Sequence, residues 1–121
     1  MIQQRFKSDA IFYNAHHVPW SPKLLDLYCW LDATFGTPLI TSTWRSAKIH
    51  KNDSGIHMTS PLRAFDIRSK NYPYPCGMVD TINRRWLYDP VRPEYQVAKL
   101  HDTGQGWHIH IQVHKNTVQV S

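Results

Sequence analysis

The feature that most constrains the fold is an alternation of polar and apolar residues near the end of the chain. Residues 107–114 read Trp-His-Ile-His-Ile-Gln-Val-His, so every second side chain is aliphatic or aromatic. Because successive side chains of a β-strand point to opposite faces of its sheet, this period predicts a strand with one face in the core. The opposite face would carry His108, His110, Gln112 and His114.

The remaining elements are predicted from periodicity and end signals. Ser21, Pro22 and Gly36 suit the N-cap, the first turn and the C-terminal end of a helix over residues 22–35. A second helix is predicted over residues 77–88, and strands over 39–44, 62–67 and 94–100, with the last forming a hairpin with 107–114. We therefore expect a single domain over residues 1–121, of the α+β class, with helices packed on a mostly antiparallel sheet.

Charge and hydropathy limit the classes of function. The 121 residues include 14 Lys and Arg against nine Asp and Glu, a net charge of +5, and the basic residues are scattered. This spread argues against specific nucleic-acid binding, although a modest positive charge suits approach to a polyanion such as a cell wall. No apolar run reaches the roughly 18 residues of a membrane span, and the first residues lack a secretion signal. We expect a monomer made in the cytoplasm without membrane insertion.

Eight histidines in 121 residues are the anomaly of the composition. Imidazole is the commonest metal ligand and carries protons near neutral pH. His108 and His110 would be about 6.5 to 7 Å apart along their strand, so one can bind a metal while the other works beside it. Asp66 lies in an apolar predicted strand, where an unpaired carboxylate is very costly. Its partner is then either an arginine, Arg45 or Arg68, or a metal ion.

Three separated stretches follow the pattern of a known family. They are residues 40–46, Ile-Thr-Ser-Thr-Trp-Arg-Ser, then residues 54–66, Ser-Gly-Ile-His-Met-Thr-Ser-Pro-Leu-Arg-Ala-Phe-Asp, and residues 106–110, Gly-Trp-His-Ile-His. In this order they resemble the D-alanyl-D-alanine peptidase and hedgehog-like zinc fold, a group that includes many bacteriophage cell-wall endopeptidases. The resemblance covers about residues 38 to 114.

The resemblance implies one zinc ion per chain, with His57 and Asp66 as two of its ligands. It also implies that Arg45 binds a carboxylate or carbonyl of the substrate, a role that suits the planar guanidinium. The loop between His57 and Asp66 is longer than in the family pattern, and Pro61 stands near the expected glycine. Two imidazoles and one carboxylate would leave a fourth zinc position open for water.

The third ligand has two assignments. If the family's Trp-His pattern applies, His108 binds the zinc, and the acidic general base of the family falls on Gln105, which cannot accept a proton. If the His-x-His pattern applies, His110 binds the zinc and His108 serves as the base or stabilises the transition state. We favour the second arrangement because it leaves every required role filled.

The function implied is a zinc peptidase that hydrolyses peptide bonds of bacterial peptidoglycan. We expect a phage or prophage endolysin that acts at the cell wall, in the periplasm, or as part of a virion. One alternative is a non-catalytic phage structural or wall-binding protein of the same fold, which Gln105 favours. A second alternative is a zinc-free basic binding module, in which Asp66 would pair with an arginine.

Overall fold

The computed structural model describes residues 5–16, 18–43, 56–102 and 106–120. Its main sheet has five strands, in the spatial order β1 (Arg5–Phe6), β2 (Leu39–Ser42), β3 (Ala64–Arg68), β6 (Trp107–Gln112) and β5 (Ala98–Asp102). Strands β1 and β2 are parallel, and the other neighbours are antiparallel. A smaller sheet pairs β4 (Trp86–Leu87) with β7 (Val118–Gln119). The fold is therefore α+β with a mostly antiparallel mixed sheet, as the sequence predicted.

The described part of the chain forms three α-helices beside the sheet: α1 (Asp9–Ala15), α2 (Pro22–Phe35) and α3 (Pro75–Arg85). In α2 the side chains at a spacing of three and four residues lie on one face and are fully buried; they are Leu24, Leu27, Tyr28 and Leu31. Burial of each of the three leucines stabilises the fold by about 1.5–3 kcal/mol. Within the described residues, no helix combines the length and the apolar character needed to cross a membrane.

The ends of α2 fall where the sequence predicted them, but one cap differs. Ser21 precedes the helix, yet its side chain makes no capping hydrogen bond. Its backbone N–H instead donates to Leu62 O at 2.8 Å, which ties the helix start to the segment before β3. Gly36 has a φ of +86°, which favours glycine, and its N–H donates to Asp32 O.

Other element bounds differ from the sequence prediction. The helix α3 begins at Pro75 rather than residue 77 and ends at Arg85 rather than residue 88, because the chain then enters β4. Strand β5 begins at Ala98 rather than residue 94. The side-chain amide of Asn83 in α3 explains this start, since it bonds both the N–H and the carbonyl of Ala98 at 2.9 Å.

The sheet has one apolar and one polar face at its centre. Ile67 pairs with Ile109 and Phe65 with Ile111, and all four side chains are fully buried in the core. The ring of Tyr28 in α2 meets Phe65 edge-on at 6.0 Å between centroids, so the helix covers this face. The alternate residues of β3 and β6 point to the opposite face, where the polar side chains collect.

Candidate metal centre

The polar face of the sheet gathers one carboxylate and three imidazoles from three adjacent strands. Asp66 of β3 lies directly opposite His110 of β6, and His108 of β6 lies directly opposite His101 of β5. Residues that face each other across an antiparallel pair project to the same side. A fourth imidazole, His57, enters from the 3₁₀ turn Ile56–Met58, and it is 2% exposed.

Asp66 is the centre of this group, and it is buried, with 6% exposure. Its Oδ1 lies 2.9 Å from His110 Nδ1 and 3.5 Å from His57 Nε2. Its Oδ2 lies 3.7 Å from His108 Nε2. Each carboxylate oxygen therefore faces at least one imidazole nitrogen, and the arginine partner considered from the sequence is not found among the described residues.

His57 presents a bare nitrogen to the carboxylate when it is neutral. Its Nδ1 lies 2.7 Å from the backbone carbonyl of Thr43. A carbonyl oxygen only accepts, so Nδ1 carries the hydrogen and donates it. In the neutral ring the lone pair is then on Nε2, the atom that faces Asp66. This is the carbonyl-oriented imidazole that proteins use to direct a histidine toward a metal.

A glutamine side chain fixes the tautomer of His110, so that this ring also turns a bare nitrogen toward Asp66 when it is neutral. The amide nitrogen of Gln112 donates to Gln96 O at 2.9 Å, so its oxygen, 3.1 Å from His110 Nε2, is the acceptor. Nε2 of His110 therefore carries the hydrogen, and in the neutral ring Nδ1 turns a lone pair toward Asp66 at 2.9 Å. Two nitrogen lone pairs and a carboxylate oxygen thus converge, which is repulsive unless positive charge lies among them.

Protons and a metal ion are the two sources of that charge. Burial alone would raise the pKa of Asp66, but protonated His110 and His57 would donate hydrogen bonds to it, and these bonds and their positive charges would outweigh burial and hold the pKa well below its ordinary value. With both rings protonated, Asp66 is a carboxylate. Protonating both imidazoles would set two cations side by side, with the ring centroids of His57 and His110 at 5.2 Å. One divalent ion satisfies all three donors without that repulsion.

The donor spacing fits such an ion. One ligand atom each of His57, Asp66 and His110 lies within 4.8 Å of the other two. Zinc bonds of about 2.0–2.2 Å at a tetrahedral angle place neighbouring ligand atoms roughly 3.3 Å apart. The separations of 2.9 and 3.5 Å from Asp66 Oδ1 to the two imidazoles bracket this value. The described residues can thus hold a metal ion, and their donor set suits zinc.

His108 stands beside these three donors. Its Nδ1 lies 3.3 Å from the carbonyl of Gly106, a distance at which it can donate a weak hydrogen bond. Its Nε2 then faces Asp66 Oδ2 with a lone pair, and its side chain is 16% exposed, more than that of His57 or Asp66. The more open position suits a group that must meet both the metal site and a bound molecule.

His101 belongs to the group as well, although it was not among the site residues predicted from the sequence. Its ring centroid lies 4.4 Å from that of His108 and 5.6 Å from that of His110. Burial, together with the charges of His108 and His110, lowers the pKa of His101 to about 4, so the ring is neutral at pH 7. The sequence could have indicated this position through the pairing of His101 with His108 across the hairpin, but only if the register of the two strands had been predicted correctly.

The other residues predicted from the sequence, and the remaining histidines of the chain, are either not described by the structure or lie in other contacts. Arg45 and Gln105 lie outside the described residues, as do His17 and His50. His16 bonds the carbonyl of Phe12 and is exposed, and His114 lies 3.8 Å from Asp89, in a separate group. Four of the residues assigned to the site, His57, Asp66, His108 and His110, are therefore found together.

Comparisons with known proteins identify no relative of this chain. No protein-family model, no curated protein and no solved structure matches the chain.

Proposed function

We propose that this chain is a metal-dependent hydrolase in which His57, Asp66 and His110 hold one zinc ion. The observation that carries the proposal is the convergence of two fixed imidazole nitrogens on one buried carboxylate oxygen, at 2.9 and 3.5 Å. Three protein donors leave a fourth zinc position for water, as in catalytic rather than structural zinc sites. When bound, the ion supplies a Lewis acid that lowers the pKa of water from 15.7 toward about 7 and polarises a carbonyl.

His108 acts as the proton carrier in this proposal. Its Nε2 lies 3.7 Å from Asp66 Oδ2 and, in the neutral ring, can accept a proton from the attacking water. The same nitrogen then returns the proton to the leaving amine. Gly106 O restrains the ring through Nδ1, so Nε2 stays directed at the site. A positioned base of this kind contributes typically 10²–10⁴-fold to a rate.

The proposed substrate is a peptide of bacterial peptidoglycan, and the chain would act as a phage or prophage endolysin. The support is the resemblance of residues 40–46, 54–66 and 106–110 to cell-wall peptidases. The net charge of +5 suits approach to an anionic wall. Arg45 is proposed to bind a carboxylate or carbonyl of the substrate, since a guanidinium can grip a carboxylate through two hydrogen bonds.

A second candidate is a non-catalytic wall-binding or virion protein that retains the metal. It is favoured by Gln105, which stands where the Trp-His arrangement would require an acidic base. The two candidates differ in the role of His108: it carries protons in the hydrolase, whereas in the binding protein its loss would leave function unchanged.

The test combines metal content with hydrolysis. Protein purified without a metal-affinity tag is dialysed against metal-free buffer, and its zinc is counted by mass spectrometry. We expect about one zinc per chain in the wild type and in His108→Ala, and none in His57→Gln, Asp66→Asn or His110→Gln. His16→Gln is the matched control, because His16 is an exposed histidine away from the site.

Hydrolysis is followed as release of amino groups from purified peptidoglycan. We expect activity in the wild type and in His16→Gln, and a loss of at least 100-fold in His108→Ala at unchanged zinc content. Zinc without hydrolysis in the wild type would favour the binding protein. A wild type that holds no metal would overturn the hydrolase proposal.

A further inference from the structure

A second set of donors lies on the other side of the same carboxylate. Asp66, His101 and His108 each offer a ligand atom, and these three atoms lie within 4.8 Å of one another. The set is built by neighbouring strands, since His101 and His108 are directly opposite across the hairpin. Asp66 contributes to both sets, with Oδ1 toward His57 and His110 and Oδ2 toward His108.

The nitrogens of this second set also lack hydrogen-bond donors when both rings are neutral with the hydrogen on Nδ1. Nε2 of His101 is buried, and no described residue forms a hydrogen bond with it. When Nδ1 of His108 donates to Gly106 O, its Nε2 is a further acceptor, 3.7 Å from Asp66 Oδ2. A buried polar atom left without a partner costs about 1–3 kcal/mol. In that state one water has only two hydrogens for three acceptors, whereas one cation can bind all three.

We propose that Asp66, His101 and His108 form a second, weaker site for a divalent cation of the zinc type, with Asp66 bridging the two ions. The inference rests on the proposed function, because it takes the first ion to be bound by His57, Asp66 and His110. Two imidazoles and a carboxylate oxygen are ligands of the same class in both sites. Paired metal sites in proteins are commonly about 3.5–4 Å apart, a separation that a bridging carboxylate spans.

The second ion binds more weakly for electrostatic reasons. A single carboxylate supplies the negative charge for both sites, and the incoming cation is repelled by the ion already bound. The second set is also somewhat nearer to solvent, since the side chain of His108 is 16% exposed while those of His110 and His57 are 13% and 3% exposed. Water therefore competes more effectively for the second ion.

Occupation of the second site has a consequence for catalysis. The ion takes the Nε2 lone pair of His108, which is the atom proposed to accept the proton. Hydrolysis should therefore rise with the first equivalent of zinc and fall when excess zinc loads the second site. The chain would then carry its own sensitivity to free zinc.

The test is a zinc titration of the metal-free 121-residue chain. Binding is measured by calorimetry and by equilibrium dialysis with metal counting. We expect two ions per wild-type chain, the second at least tenfold weaker than the first. His101→Gln should bind the first ion unchanged and lose the second, while His16→Gln should bind both. Circular dichroism checks that each variant is folded, and His108→Gln provides a second variant that should also lose the weaker ion.

The number of ions bound by the wild type distinguishes failure of the second site from failure of the hydrolase proposal. Saturation of the wild type at one ion would overturn the second site and leave the hydrolase proposal standing. Two ions in both His101→Gln and His108→Gln would show that the second ion binds elsewhere. Absence of any bound ion in the wild type would overturn both proposals.

Discussion

At His57, His108 and His110 the same local arrangement recurs. One ring nitrogen lies against an oxygen that can only accept, and the other nitrogen faces Asp66. The acceptors are the carbonyls of residues 43 and 106 and the side-chain oxygen of residue 112. Neutral imidazoles fixed in this way cannot donate to the carboxylate, so the site is satisfied by added positive charge. Outer contacts of this kind are what would allow this cluster of histidines to hold a metal ion.

Removal of one outer contact should weaken metal binding without removing a ligand. In Gln112→Leu the oxygen that holds Nε2–H of His110 is lost, and the ring is free to donate from Nδ1 to Asp66 instead. We expect zinc affinity to fall about 10–100-fold, measured by competition with a chromophoric chelator.

Gln119→Leu makes the same chemical change at an exposed position of β7 and should leave the affinity unchanged. Equal affinities for Gln112→Leu and the wild type would mean that the glutamine does not set the tautomer of His110.

Among the elements, β6 was the most predictable from sequence and its partner the least. The alternation over residues 107–114 indicated which side of β6 faces the core, and the structure confirms it for Ile109 and Ile111. The predicted partner over 94–100 is wrong by several residues, because β5 spans Ala98–Asp102. Its start depends on Asn83, a contact 15 residues away in sequence that no local pattern reveals. His101 was missed for this reason.

The segment before β5 is held by a second polar group, centred on Asp89. Its Oδ2 accepts hydrogen bonds from Arg92 at 2.9 Å and Asn116 at 3.3 Å, and its Oδ1 accepts one from the N–H of Val91 at 3.1 Å. Arg92 also lies over the ring of Tyr95, 5.1 Å from its centroid. These contacts give the residues after β4 a defined path although few of them are in strands.

Asp89 should make the stability of this segment depend on pH. Burial raises the pKa of Asp89, but the hydrogen bonds from Arg92, Val91 and Asn116 outweigh it and lower the pKa below its ordinary value. The unfolded chain therefore takes up a proton first as the pH falls, and the stabilisation is present above about pH 4 and lost below it.

The variant that tests this pH dependence is Asp89→Asn, whose urea unfolding is compared with that of the wild type. We expect a lower unfolding midpoint for the variant at pH 7 and a smaller difference at pH 3. Asp80→Asn, at an exposed position of α3, should have little effect at either pH. A difference of the same size at both pH values would indicate that Asp89 acts through shape rather than through its charge.

For the molecule as a whole, the proposed zinc ion would join parts of the chain that are distant in sequence. Its ligands come from the turn Ile56–Met58 and from strands β3 and β6, so His57 and His110 are brought together across the centre of the fold. The unfolded chain does not present these donors together. Zinc binding should therefore be coupled to folding, and it should stabilise the native state in proportion to its affinity.

Chelation should accordingly lower the melting temperature. A free zinc concentration a thousandfold above the dissociation constant stabilises by about 4.1 kcal/mol, which corresponds to a shift on the order of 10 °C or more for a domain of this size. Tryptophan fluorescence during heating, with and without a chelator, measures the shift. His57→Gln should melt at the same temperature in both conditions, and His16→Gln should respond like the wild type.

The difference in melting temperature should shrink from pH 7.5 to pH 5, because protons compete with zinc for the imidazoles. If the wild type holds one zinc but its melting temperature is the same with and without chelator, the ion must bind at the surface, away from Asp66.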